Sequence, residues 1–131
     1  MKKDSQTYFF KKVVKIPIYG GNFLIIFSND MVKTCKLVHC DKSKVRYLYA
    51  HTFHNFLYKD WESFAVCFNF WGEGEAITIG TVVHEINHAA NRLMLSRDFM
   101  PDWNNDEADC YLKGWMADEV AAFMKQCNLH I

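Results

Sequence analysis

The sequence predicts an α+β domain, a small antiparallel sheet of about four strands followed by two long helices packed on one side of it. Three observations carry this. Short alternating apolar runs separated by turn residues fill the first half. Two long stretches with apolar residues at helical spacing fill the second half. The length, 131 residues with 50% hydrophobic and 16% aromatic, suits one core and one domain spanning 1–131 and argues against disorder.

Taken in order, Tyr8 to Ile18 alternates as a strand, with Val14, Ile16 and Ile18 on one face. Gly20-Gly21 marks a tight hairpin, and Asn22 to Phe27 returns as the second strand. Ser28-Asn29-Asp30 offers caps for a short helix to about Val38, and polar His39 to Lys44 reads as a loop. Val45 to Phe56 is rich in Tyr, Phe and Thr and reads as the third strand. Phe64, Val66, Phe68 and Phe70 alternate in the fourth, and Trp71 to Glu75 is a glycine-punctuated loop. Thr78 can cap a helix running from about Ile79 to Arg97. Its apolar stripe is Val82, Val83, Ile86, Ala89, Ala90, Leu93 and Met94. After a break at Pro101, Asn104 or Asn105 can cap the last helix, which reaches about Lys125 and buries Leu112, Trp115, Met116, Phe123 and Met124.

Composition narrows the function. Fifteen basic and fifteen acidic residues give no net charge, so no strong field draws the chain to nucleic acid or to an anionic membrane. The Lys11-Lys12 pair reads as a solvated strand face. No run approaches the roughly 20 apolar residues of a membrane span. The N-terminus, with Lys2, Lys3, Asp4, Lys11 and Lys12, lacks the apolar centre of a signal peptide, so a cytoplasmic protein is expected. Five cysteines without a C-x-x-C pair read as reduced thiols, with Cys67 in the core. Cys35, His39 and Cys40 form a weak second metal cluster that lacks an evident fourth ligand.

The chemistry concentrates in His84-Glu85-Ile86-Asn87-His88, an H-E-x-x-H motif inside the first long helix. Residues four apart on a helix sit roughly 40° apart around the axis and about 6 Å along it. Two imidazoles at that spacing can share one metal ion, and Glu85 beside them can take a proton from water that the metal activates. With His and Glu each present six times, a chance match has odds on the order of 1%. The packed stripe around the motif lowers those odds, because histidines in a packed helix need partners.

A catalytic zinc site takes three protein ligands. The extended pattern with a third histidine fails, since its glycine and histidine positions hold Asn91 and Met94. An acid on the following helix is the other common solution, and Glu107 lies 19 residues beyond His88 within Asn105-Asp106-Glu107-Ala108-Asp109. On these residues the chain resembles the gluzincin branch of the zincin metallopeptidases, in which a helical glutamate follows H-E-x-x-H and completes the zinc site. From Ile77 to Met124 it also resembles small phage and prophage zincin-like proteins. Those carry an N-D-E segment leading into a Tyr-Leu-x-Gly-Trp run, here Tyr111-Leu112-Lys113-Gly114-Trp115. The N-terminal strands match that family only in their order.

The resemblance implies Zn²⁺ held by His84, His88 and Glu107, Glu85 as general base, and a peptide or protein substrate. Asp106 is the alternative third ligand, and Asn104-x-x-Glu107 is also spaced like a capping box. Asp106 or Asp109 can instead orient a zinc histidine. Asn91, three residues past His88, is a candidate for the same supporting role. Tyr111, one turn beyond Glu107, is either an oxyanion donor or an ordinary core tyrosine. His51 and His54 are further oxyanion candidates, of which a strand can present only one to the metal. The Trp71–Glu75 loop precedes the motif helix and is a candidate gate. The competing reading is a non-catalytic zinc-binding protein that keeps the same fold in a structural or binding role, such as a phage component.

Overall fold

The structure is a computed structural model and describes residues 7–40, 50–69, 77–100 and 102–129. The start of the third strand at 45–49, Phe70, the loop at 71–75 and the break at Pro101 lie outside the described residues. Four strands and three helices follow in the order β1 (Phe9–Lys15), β2 (Asn22–Ser28), α1 (Met31–Val38), β3 (Ala50–Tyr58), β4 (Trp61–Phe68), α2 (Ile79–Ser96) and α3 (Glu107–Gln126). The α+β class is as expected, but the sheet is mixed rather than antiparallel. Its order is β1-β2-β4-β3, with β2 and β4 parallel and the two outer pairings antiparallel. Local patterning reports only sequence neighbours, and here α1 separates β2 from the β3–β4 hairpin that comes to lie beside it.

The helices also do not all share one side. Phe23, Ile25, Phe27, Phe64, Val66 and Phe68 face α2 and α3, whereas Leu24, Ile26, Ala65 and Cys67 face the other way with Val38 of α1. With both faces covered, every residue of β2 is buried, which accounts for the continuous Phe23–Phe27 run. Phe27 stacks on Phe123 of α3 at 5.0 Å between ring centroids, tying the sheet to the last helix.

The first turn differs from the sequence reading. β1 ends at Lys15, and Ile16 to Gly21 forms the turn, with Ile16 N–H donating to Gly21 O at 3.0 Å. Ile18 is therefore not a core position. It lies at φ 69° and is 96% exposed. The β3–β4 connection is the two-residue turn Lys59-Asp60, with φ of 50° and 69°, the all-left-handed geometry that suits the twist of paired strands. No glycine advertises it in the sequence.

α2 begins and ends on identifiable contacts. Thr78 Oγ1 accepts from Thr81 N–H at 3.1 Å, as expected of the cap. At the other end Arg97 donates from Nε to Tyr19 O at 3.0 Å and from Nη2 to Gly20 O at 3.3 Å, and its Nη1 pairs with Glu62. One side chain thus pins the end of α2 to the first turn and to the start of β4. Gly21, at φ 87°, sits under this clamp, where a Cβ would meet Glu62 O at 2.8 Å. The buried stripe of α2 is the expected one with a correction. Val83 is exposed and Glu85 takes a buried place. α3 starts at Glu107 with Asp106 as its N-cap, so neither Asn104 nor Asn105 caps it. Trp115 is half-buried, its ring 5.9 Å from that of Phe23.

Candidate metal centre

The turn periodicity of α2 sends Val82, Ile86, Ala89 and Leu93 into the core and leaves His84, Asn87, His88 and Asn91 exposed. His84 and His88 lie one turn apart on that outer face. Their Nε2 atoms are 3.1 Å from one another and their ring centroids 4.7 Å, with the planes at 81°. A single ion at this place would be held by His84 Nε2 and His88 Nε2 together. Two imidazole nitrogens held this close on one helix face are a donor set that suits zinc, and the pair fits the expected ion.

Glu85 has the opposite setting. It is 8% exposed, and its Oε1 accepts from Thr52 Oγ1 of β3 at 2.7 Å. The same hydroxyl lies 3.0 Å from Glu85 O. β3 is an edge strand, paired only with β4 among the described residues, so the motif helix packs beside an open sheet edge.

His51 of β3 is half-buried, with its ring 4.6 Å from that of Phe53. Burial lowers its pKa from the ordinary 6.5; the Glu85 carboxylate opposes this, and His88 and His54 add to it. Thr52 and Ala50 stand opposite Val66 and Phe68, on the sheet face turned to α2, while His51 and Phe53 stand opposite Cys67 and Ala65 on the other face. A register irregularity between Phe53 and Phe56, with Asn55 at φ 61°, re-aims the strand beyond His54.

The remaining candidates come from α3. Glu107 is exposed in its first turn, and Asp106 is the exposed N-cap with no side-chain cap bond. Because α3 starts at Glu107, the capping-box reading of Asn104 and Glu107 is excluded. Asp109 is committed to Lys113 Nζ at 2.6 Å. Tyr111 is 76% exposed, which rules out the core-tyrosine reading. It lines a groove along α3 with Glu107, Cys110, Gly114, Trp115 and Asp118. Among the described residues no group of three metal-ligating side chains is assembled, so His84 and His88 are brought together and Glu107 is not brought in with them. The same holds for Cys35, His39 and Cys40, where Cys35 is buried in α1 and His39 is its exposed C-cap. None of the five cysteines is in a disulfide, and Cys67 is in the core as expected. No helix among the described residues is long and apolar enough to cross a membrane.

Thr52 is the residue that sequence reasoning missed. Nothing local marks a threonine in a β-rich strand, and only the packing of β3 against α2 pairs it with Glu85. No protein-family model, curated protein or solved structure matches this chain.

Proposed function

We propose that this chain is a zinc-dependent metallopeptidase acting on extended peptide or protein segments, with the H-E-x-x-H helix at its centre. The observation that carries this reading is the pair of imidazole nitrogens 3.1 Å apart on α2, with a buried carboxylate between them in sequence. His84 Nε2 and His88 Nε2 would hold the ion. Glu107 is the third donor we propose on its sequence pattern, with Asp106 the neighbouring alternative. When bound, zinc supplies Lewis acidity that polarises a carbonyl and makes water a better nucleophile near neutral pH.

Glu85 does the proton work. Its carboxylate takes the proton of the attacking water and returns it to the amide nitrogen as the C–N bond breaks, so the leaving group departs as a neutral amine. Among the described residues the outer edge of β3 is unpaired, which suits an extended substrate whose main chain would pair with it as an added strand beside α2. Unbridged cysteines support a reducing compartment, and we place the protein in the cytoplasm, the host's if it is phage-encoded.

The test is elemental analysis of the purified protein and of His88→Ala side by side, followed by assay of Glu85→Gln on labelled casein. One zinc per parent chain, none in His88→Ala, and casein cleavage that disappears in zinc-loaded Glu85→Gln are expected. A parent that binds no zinc after metal is added and excess removed sinks the reading. A zinc-bound parent that leaves casein and a mixed fluorogenic peptide library intact points instead to the non-catalytic binding role.

A further inference from the structure

Glu85 is the only carboxylate among the buried residues described. A carboxylate taken out of water needs hydrogen-bond donors, and Thr52 supplies one from the facing edge strand. Its hydroxyl carries a single hydrogen and has two acceptors within reach, Glu85 Oε1 at 2.7 Å and Glu85 O at 3.0 Å. The shorter contact is to the side-chain oxygen, so the hydrogen is assigned to Oε1.

We propose that Thr52 is a positioning residue for the proton-transfer step. The terminal torsion of a glutamate is broad and does not by itself set the plane of the carboxylate. Anchoring Oε1 to β3 sets that plane and leaves Oε2 as the oxygen that exchanges the proton, at a fixed place relative to His84 and His88. The edge strand thereby aligns the base as well as offering a pairing edge to substrate. This inference rests on the zinc-peptidase reading. The same bond could serve only to tie α2 to β3, so the test has to separate alignment from attachment.

The full chain and its Thr52→Val, Thr52→Ser and Glu85→Gln variants are loaded with Co²⁺ for visible absorption and with Zn²⁺ for casein cleavage, after thermal unfolding shows each is folded. Thr52→Val keeps the size of the side chain and removes the donor, and Thr52→Ala replaces it if that variant does not fold. Thr52→Val should bind Co²⁺ with the parent's stoichiometry. It should shift the visible band in the same direction as Glu85→Gln, because groups around the ligands tune the ion. Its kcat should fall about 10- to 100-fold with KM held within about twofold, the signature of lost alignment rather than lost binding. Thr52→Ser should recover the parent band and bring kcat back to within about threefold. A Thr52→Val protein with the parent's band and kcat overturns the proposal and leaves a structural tie, and so does a Thr52→Ser protein as slow as Thr52→Val. A parent that binds no Co²⁺ removes the metal reading and the proposal with it. A parent that binds Co²⁺ but does not cleave casein removes the peptidase reading alone, and the band then decides whether Thr52 aligns Glu85.

Discussion

At the scale of single residues, burial divides the motif into two kinds of group. His84 and His88 are exposed and aimed at each other, whereas Glu85 between them is turned into the sheet and held by a hydroxyl. Glu107 now has a clean test, because its capping role is gone. In Glu107→Ala the metal-free protein should lose no more than about 1 kcal/mol, the worth of an acidic group in a first helical turn. Its zinc affinity, read by competition with a chromophoric chelator, should fall about tenfold or more if the side chain is the third donor, with Asp106→Ala leaving affinity unchanged. Equal zinc affinity in parent and Glu107→Ala would remove Glu107 from the site.

At the scale of elements, α2 is anchored at both its ends, by Thr78 and by Arg97. Thr78→Ala removes the side-chain acceptor for Thr81 N–H and should cost about 1 kcal/mol in urea unfolding. Gly21→Ala should cost more, about 1–3 kcal/mol, because it combines a left-handed φ with a contact of 2.8 Å to a backbone oxygen. A Gly21→Ala protein as stable as the parent would show that the clamp made by Arg97 has slack. Core truncation sets the upper end of this scale. Phe27→Ala removes a ring stacked on Phe123 and should cost about 3–5 kcal/mol in the same measurement.

For the whole molecule, the sheet brings a strand distant in sequence against the motif helix and with it a pH dependence. His51 has its pKa lowered in the fold, chiefly by burial. The unfolded chain therefore binds the proton more readily, and stability rises with pH across that interval. His51 exacts no penalty above its ordinary 6.5, and stability is lost as pH falls below that value toward the folded pKa. Urea midpoints of metal-free protein should therefore decline from pH 7 to pH 5, and His51→Gln should flatten the decline. Chelator-treated protein is needed, since metal affinity is itself pH-dependent and loss of a bound ion would mimic the effect. An unchanged slope in His51→Gln would assign the decline to other groups.

Local pattern was enough for much of this molecule. The alternation of Phe64, Val66 and Phe68, the cap at Thr78 and the helical stripe from Val82 to Met94 set the class, the position of α2 and the convergence of His84 with His88, because each depends on contacts within a few residues. Ile18, Val83 and Tyr111 went against their hydrophobic character. Where an apolar residue ends up depends on turn length and on how far a neighbouring element extends, and neither is written in its own flanks. Tertiary structure alone decided three things: that β2 and β4 run parallel with β3 at the edge, that α1 lies on the far face, and that Thr52 meets Glu85. Each is a pairing between segments far apart in the chain, made by burying surface and satisfying a buried charge, and no local period encodes which distant partner will do so.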